Sequence, residues 1–228
     1  MGNVWFEGQT SYMPKTRLKM ELACLKLWAK HGFRVFEPYE NVEVVAPDCP
    51  PGGYLLIEYV DAPKLEVVLA DETKPLEERL DLYRRWLKEW GRRHEIAIRE
   101  REPRLVHENG DLGHVFVLED ETFLWFDFEM VFRSKNKVHE YVGHEIVQFV
   151  WQLLRKTPPD MHETLLEETA KHYPDRDLIR FAPDVFLKHP RLPVRAARSI
   201  DMKRKRGRKP SSKYNLARRL KEHVLRLG

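Results

Sequence analysis

At 228 residues the chain can bury one substantial core, or two small lobes that share a cleft. Its 42% apolar and 33% charged content fits a folded globular protein and argues against a disordered or fibrous chain. No apolar run approaches the ~20 residues that a bilayer-spanning helix needs, so no membrane span is expected.

The opening MGNVWFEGQT lacks a basic-then-apolar leader, which makes the cytoplasm the expected compartment. Cys24 and Cys49 have no metal-ligand spacing and read as buried or incidental thiols under reducing conditions. The net charge of +4 is unevenly spread: residues 188–228 carry 15 Lys/Arg against Asp201 and Glu222, leaving −9 for the 187 residues before them. An acidic body with a basic tail predicts that the tail either binds a polyanion or folds back on the body.

In chain order, VWFEG reads as a strand, and TRLKMELACLKLWAKHG from Thr16 as an amphipathic helix. Its stripe is Leu18, Leu22, Leu25 and Ala29, and Gly32 is the stop signal. FRVFEPY and NVEVVAP are short β-rich pieces, and Asp48 to Gly53 is a turn. YLLIEYV then reads as a strand ending in Glu58-Tyr59-Val60, with a helix starting after it.

A long amphipathic helix is predicted from Pro75 to Ile98, with His94 packed in the core. VFVL and TFLWF form a hairpin around the acidic tip Glu119-Asp120-Glu121. The strongly apolar stretch from Val142 to Lys156 predicts a buried central helix. Helical pieces follow at Met161–His172 and near Asp177–Phe181. The tail starts near Leu192, with the dense run KRKRGRKP at 203–210 and helical spacing over Asn215–Leu227.

The chemistry-bearing stretch is Arg104 to Arg133. A polar loop with His107, Asn109, Asp111 and His114 precedes the first hairpin strand, and Asp127-Phe128-Glu129 follows the second. Such a hairpin delivers the ionisable groups at its open ends to one place. The plainer reading is that Asp and Asn flank short strands simply because they are turn residues.

This stretch resembles the catalytic and metal-binding segments of the protein-kinase-like superfamily, in which a His-x-Asp loop, a metal-binding Asn and a hairpin precede an Asp-Phe-Gly-type motif. Ungapped, the overlay sets Asp127-Phe128-Glu129 on that motif, Asn109 on the catalytic-base position and His114 on the metal-binding Asn. A local shift makes Gly110-Asp111-Leu112 the catalytic triplet instead, and the sequence leaves both registers open. His107 falls on a residue that scaffolds the loop. Glu21 matches the helix glutamate that pairs with a strand lysine, but the lysine's position falls on Phe6 or Glu7. Glu58-Tyr59-Val60 resembles the hinge whose backbone holds adenine.

The resemblance spans roughly residues 16–156 and is closest to small atypical members: lipopolysaccharide (Kdo/heptose) kinases and a tRNA-modification kinase with an Arg-Gly-Arg-like basic tail. It implies an α+β, two-lobed kinase-like fold, with a reduced N-terminal β lobe over 1–60, a mainly helical lobe over 61–190 and a basic tail over 191–228. It also implies ATP and Mg²⁺ as cofactors, Asp127, Glu129 and His114 as the metal set, and Asp111, His107 and Asn109 as the catalytic loop. The acceptor would be a hydroxyl on an anionic molecule such as RNA, a sugar or a protein. The other expectation is an inactive pseudokinase-like module that binds nucleic acid or a protein partner through its tail. Arg206-Gly207-Arg208 also resembles part of a minor-groove-reading AT-hook, which makes Arg204, Arg206, Arg208 and Lys209 the candidate nucleic-acid contacts.

Overall fold

The structure, a computed structural model, describes residues 14–40, 42, 54–128, 130–187, 192–203, 209 and 211–227. Within them the chain is α+β and mostly helical, with one small sheet. Helix α1 (Pro14–Lys30) ends at Gly32, whose φ of 74° is the left-handed stop expected of a glycine there. It leads to β1 (Arg34–Val35). The next helices are α2 (Leu65–Ala70) and α3 (Leu76–Glu100). The hairpin is β2 (Val115–Val117) and β3 (Phe123–Trp125). Five helices follow: α4 (Val138–Lys156), α5 (His162–His172), α6 (Arg176–Leu187), α7 (Leu192–Lys203) and α8 (Lys213–Arg226).

The sheet order is β1-β3-β2, with β1 parallel and β2 antiparallel to β3. β1 lies before residue 60 yet pairs with the hairpin far downstream, so one sheet joins residues from both sides of the boundary expected there. The β-rich start is thinner than the sequence predicts: FRVFEPY yields two strand residues plus an isolated bridge between Pro38 and Ile57. The segments VWFEG and NVEVVAP lie outside the described residues, apart from Val42.

Two further elements run longer than predicted. Helix α6 continues through Pro183 to Leu187, and Leu192–Lys203, read as the start of a tail, is helical. Of the two fates predicted for the tail, folding back is the one seen in α8. Leu216, Leu220 and Val224 are buried against α4, α5 and α6. Glu163 of α5 pairs with both Arg219 and His223, and Lys221 reaches Asp184 at 2.7 Å.

Helix α4 is the central helix, touching α2, α3, α5, α6 and α8. Between it, α1, α3 and the sheet lies an aromatic core. Trp86 stacks on Trp90 at 4.7 Å, Phe149 packs on both, and Trp125 sits between Trp86 and Trp28. A charge is buried inside it. The Arg93 guanidinium lies 4.6 Å from the Trp28 ring and 4.7 Å from the Trp125 ring, and bonds Glu145 of α4.

Glu145, fully buried, also accepts from Trp90 Nε1 at 3.0 Å and from the His107 backbone N–H at 2.8 Å, and lies 3.3 Å from His94 Nε2. Burial raises the Glu145 carboxyl pKa, but Arg93, His94 and His107 more than offset that, so it stays ionised. His94 is the packed core histidine the sequence predicts. It contacts the Tyr173 hydroxyl at 2.7 Å, and burial pushes it down to about 4, so it is neutral.

Removing one partner of a buried pair strands the other charge in a low dielectric. Glu145→Ala should therefore lower unfolding stability by about 3–5 kcal/mol in urea titrations. The double change Arg93→Met with Glu145→Leu should cost less than that single change.

Candidate functional site

The open end of the hairpin is set by its register. Val115 pairs with Trp125, and the ladder runs on as Phe126 N–H donates to the His114 carbonyl at 3.2 Å. Asp127, one residue past that pairing, turns back to His114, with His114 Nε2 and Asp127 Oδ2 3.1 Å apart. Asp127 has a φ of 69°, a left-handed conformation that Asp tolerates better than bulkier residues. Strain of that kind recurs where a group is held in place for a purpose.

His107 is buried behind them. Its Nε2 donates to the Phe126 carbonyl at 2.9 Å, and its ring stacks over His114 at 5.4 Å. Burial holds its pKa down at about 4, so it is a neutral scaffold. Its Nδ1, like that of His114, is buried without a hydrogen-bond partner among the described residues.

Phe128 anchors the other side, packing on Trp28 at 4.4 Å and on His107 at 5.6 Å. Glu21 lies two turns before Trp28 on α1, on the same face. The contact brings Glu21 to Asp127 and to the Phe128 backbone. Burial first, then the Asp127 charge, push the Glu21 carboxyl up to about 7. Four of the expected residues, Glu21, His107, His114 and Asp127, are thus gathered in one place.

Asp111 adjoins them as the cap of the 3-10 turn Leu112–His114, accepting from the Gly113 N–H at 2.8 Å. Its other partners come from α4, with Lys156 Nζ on Oδ1 at 2.6 Å and Gln152 Nε2 on Oδ2 at 2.7 Å. Lys156 also pairs with Glu66 of α2. Burial raises the Asp111 pKa, and Lys156 and the turn outweigh that, leaving it below the ordinary carboxylate range. The preceding Gly110 lies so close to Phe149 that any Cβ there would overlap the ring, which fixes the loop's distance from α4.

The remaining expected residues lie elsewhere. Asn109 sits exposed on a turn. Glu58 is engaged by Arg34 at 2.7 Å and by the Glu37 N–H at 2.8 Å; Tyr59 is 88% exposed and Val60 half-buried. Lys209 is exposed, and its carbonyl accepts from Asn215 and Ser212. Glu129, Arg204, Arg206 and Arg208 lie outside the described residues.

Sequence reasoning missed Glu145, Gln152, Lys156 and Glu66. A signal existed for Glu145 and Gln152, which are polar positions on the buried and half-buried faces of a helix rich in apolar residues. Among the described residues no group of three or more His, Cys, Asp or Glu could hold a metal ion. A cavity of about 340 Å³ lies at the far end of the hairpin, lined by Asp61, Pro63, Lys74, Arg79, Leu118 and Glu119, apart from the Asp127 group. No described helix is long and apolar enough to cross a membrane. Comparison with protein-family models, curated proteins and solved structures finds no match for this chain.

The raised Glu21 carboxyl makes a signed prediction. The folded state binds its proton more tightly than the unfolded state does, so its ionisation weakens the fold progressively as pH rises from about 4.5 to about 7. Glu21→Gln removes that penalty. Chemical denaturation should show the variant more stable than wild type by up to about 3 kcal/mol at pH 8, and close to equal at pH 4.5.

Proposed function

We infer that the chain is a kinase-like phosphotransferase of reduced size, dependent on ATP and Mg²⁺ and acting on a hydroxyl of an anionic acceptor. The observation that carries this reading is the meeting of Glu21, His114 and Asp127 around the buried Phe128, beside the loop that holds Asp111. Two carboxylates close enough for the Asp127 charge to raise Glu21, with burial around them, suit a hard divalent cation that would relieve their repulsion. Asp127 would be its main ligand, with Glu21 and Glu129 as further oxygens; His114, a poor partner for Mg²⁺, orients Asp127 instead. Bound Mg²⁺ would neutralise charge on the phosphates being transferred.

Asp111 would accept the hydrogen bond of the acceptor hydroxyl and orient it, while Lys156 fixes its rotamer. His107 holds the strand carrying Asp127 at the correct height through the Phe126 carbonyl. The two-lobed shape belongs to this proposal too, with α1 and β1 supplying the described part of the smaller lobe. The place expected for a phosphate-holding lysine, Phe6 or Glu7, lies outside the described residues, and neither residue is basic.

One observation favours a second reading, an inactive module that binds nucleic acid or a protein partner. Both Asp111 oxygens are already occupied by Lys156, Gln152 and Gly113, so a hydroxyl would have to share or displace a partner.

Asp127→Asn separates the two readings. Asparagine tolerates the left-handed backbone and can still bond His114, so the fold should survive while the charge is lost. Mg²⁺-dependent ATP turnover should fall on the order of 10²–10³-fold, and the thermal shift with Mg-ATP should vanish. Wild-type protein with neither turnover nor a shift would leave the binding module as the reading.

A further inference from the structure

The cavity at the far end of the hairpin is walled by three stretches of chain. Residues 61–63 run beside β2, where the Val117 N–H donates to the Pro63 carbonyl at 2.9 Å. Val68 of α2 and Leu82 of α3, both buried, supply its apolar lining together with Val117 and Leu118. Arg79, on the first turn of α3, lines it too and is only 7% exposed.

The Arg79 charge has no counter-ion among the described residues. Its Nη1 donates to the Leu69 carbonyl and the Met161 sulfur, each at 3.1 Å, and its Nε has no acceptor. The nearby carboxylates are engaged elsewhere. Asp71 accepts from the Thr73 N–H and hydroxyl, Glu78 holds Lys74 at 3.3 Å, and Glu121 holds Arg85 at 2.8 Å. A cation taken out of water without a partner is costly to bury. Arg93, the other buried arginine among the described residues, shows the contrast, because Glu145 neutralises it. An oxyanion in the cavity would give Arg79 what Glu145 gives Arg93.

We propose that this cavity is a binding site for a small zwitterion with an apolar body, of amino-acid or dipeptide size. Its carboxylate meets Arg79, its apolar body lies on Val68, Leu82 and Val117, and its ammonium faces Asp61 and Glu119. A planar carboxylate matches the fork of a guanidinium. The rim selects against a polyanion, since a phosphate group would be set among Asp61, Glu78, Glu119 and Glu121. Asp61 and Glu119 are exposed and bear no ion pair among the described residues, so they are open to a cationic end. The volume of about 340 Å³ is at the lower end of the range for small-molecule pockets. The site is apart from the Asp127 group and does not depend on the phosphotransferase reading.

The test is isothermal titration of the full chain with leucine and with leucyl-leucine, each beside its N-acetyl and C-terminal amide forms. At least one of the two zwitterions should bind and raise the melting temperature, because a ligand held only by the folded state stabilises it. Both capped forms of that zwitterion should bind about tenfold more weakly or worse, the size expected for losing a charge-assisted bond. Arg79→Met should weaken the zwitterion by at least about tenfold as well. Asp61→Asn with Glu119→Gln, at exposed positions, serves if that variant fails to fold. It should weaken the zwitterion about threefold and leave the N-acetyl form unchanged.

No binding of either zwitterion would overturn the proposal. So would a capped form that binds as tightly as its parent, or undiminished binding by a folded Arg79→Met protein.

Discussion

The Glu145 carboxylate is the interaction on which the remaining geometry depends. It sits at the middle of the central helix, and its oxygens take one bond each from the Arg93 side chain, the Trp90 indole and the His107 backbone, with His94 alongside. A carboxylate with no exposed surface costs several kcal/mol to desolvate unless its lone pairs are filled. Here they are filled by groups from α3 and from the polar loop, so satisfying one charge also fixes where the loop crosses the core. Arg93 passes the constraint on, because its guanidinium plane is held between Trp28 of α1 and Trp125 of β3. One buried charge pair thereby aligns α1, α3, α4, the loop and the sheet.

The Asp127 group follows from that alignment. Trp28 is held by Arg93 and by a 2.8 Å bond from its indole to the Arg104 carbonyl, and Phe128 packs on Trp28. The backbone at Asp127 is thus pressed towards α1 at one side and tied to His107 through Phe126 at the other. Between those two attachments the chain makes its left-handed turn at Asp127. A residue so positioned costs some folding free energy locally, which the aromatic core around it can supply.

Much of this was legible in the sequence, and the pattern of what was not is physical. Long helices announce themselves through 3.6-residue periodicity, so α1, α3 and α4 and the hairpin between them were readable from Leu22-Leu25-Ala29, Leu80-Tyr83-Leu87-Trp90 and VFVL/TFLWF. The convergence of Glu21 and Asp127 was not readable, since nothing local to either residue specifies the other; the resemblance set Glu21 opposite a strand lysine instead. The partners of Asp111 were not readable at all. Lys156 and Gln152 lie more than forty positions away, and their meeting depends on how α4 packs under Gly110. The sheet misled for a similar reason: β1 is two residues long and finds its partner ninety positions on, a pairing that alternation within FRVFEPY cannot encode. The apolar spacing after Asn215 was readable as a helix, whereas the charge pattern left open whether it docks on the body or binds a polyanion.

That docking has a consequence for how the chain can come apart. Helix α8 is held to α4, α5 and α6 through Leu216, Leu220 and Val224, and Trp151 of the central helix takes a further hold just ahead of it at the Ser211 carbonyl. Peeling α8 away would uncover apolar surface on three helices at once, and water penalises that exposure in proportion to its area. The last described helix is therefore a strut of the fold, and a chain cut before it would lose part of its core along with its final turns.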